Sequence, residues 1–152
     1  NEQGYYQRAI TYFMLESYQE AINDFNKSIE LNPDVSSVYY WRGQSKYYLK
    51  RYEEAASDYS KALELNRNDG AAFGGRANSY YMLGKYEDAR ADYTKAIEFT
   101  PADEAYYSYW RGTSSYNLDR TQEALNDFMT CIRSNPNDDL ALMMAGNCRY
   151  NN

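Results

Sequence analysis

The side chains that carry most protein chemistry are scarce in this chain. None of its 152 residues is histidine, which removes the commonest general base and the commonest nitrogen ligand for a metal. The two cysteines, Cys131 and Cys148, stand 17 residues apart without the short paired spacing of a zinc site, and each reads as a packing thiol. Adjacent carboxylates occur at Glu53-Glu54 and Asp138-Asp139. The first pair opens a predicted helix and the second precedes one, positions where negative charge favours the positive end of the helix dipole rather than acid-base work. The sequon Asn26-Lys27-Ser28 also falls inside a predicted helix, away from the surface loops where glycans attach. No metal, no cofactor and no enzymatic activity are expected. What the chain has in quantity is 19 tyrosines and two tryptophans, stiff rings with polar tips that suit recognition.

Charge narrows the partners. The formal net charge is -6 and no basic stripe is present to neutralise phosphates, so nucleic acid is not an expected partner. No apolar run approaches a bilayer's thickness and no signal peptide precedes the first helix, so membrane insertion is not expected either. Two unpaired cysteines fit an intracellular, cytoplasmic setting.

The elements that position the rings come from a repeat. Ala21, Ala55, Ala89 and Ala124 recur at separations of 34, 34 and 35 residues inside near-copies of one block: Tyr18-Gln19-Glu20, Tyr52-Glu53-Glu54, Tyr86-Glu87-Asp88 and Thr121-Gln122-Glu123 precede them. Asp24-Phe25, Asp58-Tyr59, Asp92-Tyr93 and Asp127-Phe128 follow. Upstream lie Arg8-Ala9, Arg42-Gly43, Arg76-Ala77 and Arg111-Gly112, then Leu15, Leu49, Leu83 and Leu118, with Tyr39, Gly43 and Leu49 taken to mark the core side of their helix. A period of this length predicts stacked helix pairs, none of which can bury its apolar face alone. Helices are expected near 2-15, 18-31, 36-49, 52-65, 70-83, 86-99, 105-118, 121-134 and 139-150, with the extra residue of the longer spacing in the loop from Thr100 to Glu104. Cys131 replaces the small residue of Ser28, Ala62 and Ala96.

These residues resemble the tetratricopeptide repeat (TPR) family, whose members are arrays of helix-turn-helix units. The resemblance implies an all-α, right-handed superhelical solenoid: four full repeats at about 2-35, 36-69, 70-104 and 105-138, plus a terminal helix at 139-150, in one domain over 1-152. The chain opens within a turn of a repeat start and without an initiator Met, which reads as a domain excised from something longer. In the family, the first helices line a concave groove that binds an extended or helical peptide of a partner protein. Carried over, the groove holds Tyr6 and Phe13 from the first repeat, and Tyr40, Trp41, Gln44 and Tyr47 from the second. The third gives Gly74, Gly75, Asn78 and Tyr81, and the fourth Tyr106, Tyr109, Trp110, Thr113 and Tyr116. An aromatic residue recurs in every repeat at Phe13, Tyr47, Tyr81 and Tyr116, and again at Tyr150.

A subclass of the family clamps a C-terminal carboxylate with Lys, Asn and Arg. The matching positions here are Tyr6, Ile10, Trp41, Ala71 and Gly75, or one repeat later Tyr40, Gln44, Gly75, Tyr106 and Trp110, and none is a cation. The expected ligand is therefore neutral, apolar or proline-rich. A structural assembly unit that self-associates or packs on other domains of its parent is the alternative reading.

Two features carry sharper expectations. Tyr40-Trp41-Arg42-Gly43 recurs as Tyr109-Trp110-Arg111-Gly112, but the intervening repeat reads Gly74-Gly75-Arg76-Ala77. The missing rings predict a recess floored by glycine backbone, with Asn78 and Tyr81 beside it, or else a close approach by a neighbouring helix. The four arginines lie on the core-facing side and predict a ladder of buried pairs with Asp24, Asp58, Asp92 and Asp127.

Overall fold

The computed structural model describes residues 1–150, so Asn151 and Asn152 at the expected domain end lie outside the description. Among the described residues there are nine α-helices and no strand. The helices are α1 Glu2–Met14, α2 Tyr18–Leu31, α3 Ser36–Tyr48, α4 Tyr52–Leu65, α5 Gly70–Met82, α6 Tyr86–Phe99, α7 Glu104–Asn117, α8 Thr121–Ser134 and α9 Asp139–Tyr150. Each packs on its chain neighbours, and α1, α3, α5 and α7 also meet one another along one side. A 3-10 turn, Pro101–Asp103, takes up the extra residue at the expected place, and α7 starts one residue early behind it.

Small residues hold each helix pair together. Ala9, Ala77, Ala21, Ala55, Ala89 and Ala124 are fully buried. Gly43 and Gly112 replace alanine because a Cβ there would stand 3.1 Å from the Tyr59 ring and 3.0 Å from the Asp127 Cβ respectively. In α4, Ala55, Tyr59, Ala62 and Leu63 are buried together while Glu54 and Glu64 are exposed, the amphipathic pattern expected. Cys131 and Cys148 are both buried and unpaired. Leu15, Leu49, Leu83 and Leu118 are the C-caps of the first helices, just before the turn as expected, but Leu49, read as marking the core side, is exposed, as is Leu15. The next residue, Glu16, Lys50, Gly84 or Asp119, turns the chain with a positive φ of 58°, 60°, 72° or 58°.

The arginine ladder forms within repeats and extends between them. Arg42 donates from Nε and Nη2 to Asp58 at 2.9 and 2.6 Å, and Arg8–Asp24, Arg76–Asp92 and Arg111–Asp127 repeat this fork. The remaining nitrogen reaches back one repeat: Arg42 Nη1 to Asn26, Arg76 Nη1 to Ser60 and Arg111 Nη1 to Thr94, at 2.7, 3.0 and 3.1 Å. The carboxylates are buried, but the arginines are not as enclosed as expected. Arg42 keeps 17% of its side chain exposed and Arg8, with no repeat packed before it, 58%. The Asn26 amide is thus engaged on α2, within the helix that contains the sequon.

Candidate functional site

The recurring aromatic residue of the first helices does two jobs. Phe13, Tyr47 and Tyr81 each meet the first residue of the next helix edge-on, Tyr18, Tyr52 and Tyr86, at 5.5, 5.3 and 5.5 Å between ring centroids. Phe13 and Tyr81 also carry the tryptophan of the following repeat, Trp41 and Trp110, both at 5.1 Å. Tyr47 has no such cover, because its following repeat offers Gly75 at the tryptophan position. Beside it opens a shallow recess of about 40 Å³ lined by Tyr47, Asn78, Tyr81, Met82, Tyr93, Tyr106 and Trp110.

That recess is not floored by glycine. Gly74 and Gly75 are buried, and a Cβ on Gly74 would stand 2.5 Å from the Tyr107 ring and one on Gly75 2.6 Å from the Tyr59 ring. The reason is an exchange of volume between helices. Tyr40 of α3 is paired in register with Ala72 of α5, and Tyr109 of α7 with Ala141 of α9; between α5 and α7 the small residue is Gly74 and the ring, Tyr107, comes from the following helix. Close approach, not an open pocket, explains both glycines. The space a ligand could use lies a turn further on, at Asn78 and Tyr81.

Asn78 is held in one orientation. The Tyr93 hydroxyl donates to Asn78 Oδ1 at 2.7 Å, and Asn78 Nδ2 donates to the Tyr106 hydroxyl at 3.4 Å. One repeat earlier the register-equivalent Gln44 donates instead to Tyr40 at 2.8 Å, which leaves the buried Tyr59 hydroxyl without a partner. Burial pushes the Tyr40, Tyr47, Tyr81 and Tyr93 phenols above their ordinary range, so all four stay protonated at neutral pH. Thr113 is turned into its own helix, donating to the Tyr109 carbonyl at 2.8 Å. Tyr6 leans on Phe25 at 6.2 Å, a packing contact, and Tyr116 is half-buried.

A second recess, of about 320 Å³ and mostly apolar, lies between α7 and α9 over Cys131, with Tyr106, Tyr109, Trp110, Asp138 and Leu140 around it. Tyr106 and Trp110 line both hollows and form the wall between them. Burial raises the Cys131 thiol to about 11, so it is a packing group and no nucleophile. A hollow of about 370 Å³ at Asn1, Gly4, Tyr5 and Arg8 lies at the first-repeat end, apart from the aromatic column. Among the described residues no cluster of His, Cys, Asp or Glu is arranged to hold a metal, and no helix is long and apolar enough to cross a membrane. Sequence reasoning missed Tyr93, the Asn78 partner, because its position belongs to the core face of the second helix; the signal was its hydroxyl, absent from the equivalent Phe25 and Phe128.

Models of the tetratricopeptide repeat match residues 3–35, 36–69 and 70–103, and a second such model matches 105–138. The chain belongs to the tetratricopeptide repeat family. Its TPR repeats stack as in solved members. YrrB, described as a TPR protein with an unusual peptide-binding site, superposes with a TM-score of 0.89 at 22% identity, over 97% of this chain and 76% of that one. MamA from Desulfovibrio magneticus RS-1 gives 0.84 at 22% over 91% and 78%. The first TPR of Spaghetti (RPAP3), solved bound to the HSP90 peptide SRMEEVD, gives 0.75 at 25% over 78% and 93%. No curated protein compared with the chain matches it.

Proposed function

We propose that this TPR domain is a non-enzymatic interaction module whose concave face binds an extended segment of a partner protein, uncharged where it lies among the rings, inside the cell. The observation that carries the reading is the oriented Asn78 amide set among Tyr47, Tyr81, Tyr106 and Trp110, with no lysine or arginine lining the recess. Aromatic walls supply stiff contact area, and the fixed amide supplies a main-chain hydrogen bond. An acidic peptide such as the SRMEEVD bound to the RPAP3 repeat would find no lysine or arginine lining either recess. The reading is tested by selecting binders from a displayed library of unstructured peptides and measuring them by calorimetry against the wild type and Tyr106→Lys. Tyr106 is half exposed, so the variant keeps the fold by circular dichroism, and binding is expected to fall more than tenfold. Equal binding by the folded variant would place the ligand elsewhere and overturn the reading.

Self-association has its own observation. α9 exposes Leu140, Leu142 and Met143, and a Cβ on Gly146 would meet nothing, whereas the equivalent Gly43 and Gly112 hold a helix close. Light scattering across a concentration series decides it: a constant monomer mass favours peptide binding alone.

A further inference from the structure

We infer that the groove takes a proline-rich segment in the polyproline II conformation, with two prolines three residues apart set into the hollows on either side of the Tyr106–Trp110 wall and a basic residue flanking toward Asp138. This rests on the peptide-binding reading and names the ligand class.

Hydrogen-bond polarity is the first support. Asn78 Oδ1 is used by Tyr93, and the Tyr106 hydroxyl accepts from the Asn78 amide, which leaves its own proton free. The indole Nε1 of Trp110 has no hydrogen-bond partner among the described residues. The wall between the two hollows therefore offers a ligand's carbonyls two donors, the Trp110 indole N–H and the Tyr106 hydroxyl. An α-helix keeps its carbonyls for itself and leaves such donors unused. A polyproline II segment exposes its carbonyls, and each proline removes an N–H.

Spacing is the second support. The two hollows lie in successive seams between first helices, and packed helices stand about 8–10 Å apart. Residues i and i+3 of polyproline II share a face at about 9 Å, whereas same-face residues of a strand recur at about 7 Å. The rings of Tyr106 and Trp110 stand between the two positions as the ridge over which such a helix would seat.

Charge is the third. Asp138 borders the larger hollow, so that rim of the groove is acidic. A basic flank on the ligand complements that rim.

The experiment uses Trp41→Phe, so that emission reports Trp110 alone, and four synthetic peptides: arginine-flanked with prolines at i and i+3, its isomer of identical composition with prolines at i and i+2, an amphipathic helical peptide, and an acidic peptide with a free C-terminus. The i,i+3 peptide is expected to shift Trp110 emission with a Kd of about 10–100 µM and to bind about tenfold tighter than its isomer. Tyr106→Ala should weaken it about tenfold, and Asp138→Asn, which keeps the cap on α9, should weaken it several-fold and flatten its salt dependence. Equal binding of the two isomers overturns the spacing. Binding of the helical or acidic peptide in place of the proline peptide, still lost in Tyr106→Ala, overturns the ligand class and leaves the groove reading standing. Indifference of every peptide to Tyr106→Ala overturns both.

Discussion

The ring of Tyr107 occupies, from the following helix, the space that the side chain at Gly74 gives up: a Cβ on Gly74 would stand 2.5 Å from it. Because the contact is ring on backbone in a fully packed seam, Gly74→Ala should destabilise the fold by about 1–3 kcal/mol in denaturant titration. The volume exchange makes a stricter forecast. Gly74→Tyr combined with Tyr107→Ala recreates the Tyr40 and Ala72 arrangement of the preceding seam, so the double variant should recover most of what either single one loses. Additive losses would show that the two positions are not exchanged halves of one packing unit.

The ladder should weaken unevenly along the chain. Asp58 is buried and accepts from Arg42 and, at 2.8 Å, from Lys46, so Arg42→Met removes the fork but leaves the carboxylate one cation and should cost about 1–3 kcal/mol. Arg8→Met removes an arginine that is mostly in water, and a loss of about 1 kcal/mol or less is expected there. Matching losses at both ends, read from urea midpoints, would contradict burial as the cause.

Alkali should unfold this domain through its tyrosines. Burial pushes Tyr107 up to about 12 and raises Tyr59 and Tyr93 further, so these phenols hold their protons in the folded state where the unfolded chain releases them near 10. A raised folded pKa contributes stability that is intact below pH 10 and is lost as pH climbs through 12. Tyrosinate absorbance should therefore rise in two stages, exposed rings first and buried rings together with loss of helicity. A single gradual rise with helicity intact would contradict the packing.

The turns between paired helices carry a smaller reserve. Lys50 holds φ at 60°, where the third repeat has Gly84. Lys50→Gly relieves the Cβ clash of the left-handed conformation and should raise stability by up to about 1 kcal/mol, visible as a higher Tm. An unchanged or lower Tm would mean the freedom gained by the unfolded chain cancels the relief.

The repeat spacing of Ala21, Ala55, Ala89 and Ala124 and the blocks around them was enough to determine the helix pairs, their boundaries to within about two residues, the turn that absorbs the extra residue at Thr100 to Glu104, and the existence of an arginine–aspartate ladder, while the structure decided that each arginine takes the aspartate of its own repeat. Such features are local, repeating every 34 or 35 residues, so the pattern prints them several times over. Three other things needed the tertiary structure: where the glycine gap is filled, which nitrogen of each arginine reaches back a repeat, and which face of Asn78 remains free. Those are settled by side chains arriving from the neighbouring repeat, Tyr107 and Tyr59 against glycine and Tyr93 against the Asn78 oxygen. Whether a missing ring leaves a hole or a seat depends on what the next helix brings to it, because a packed interior fills its volume from whichever side can reach.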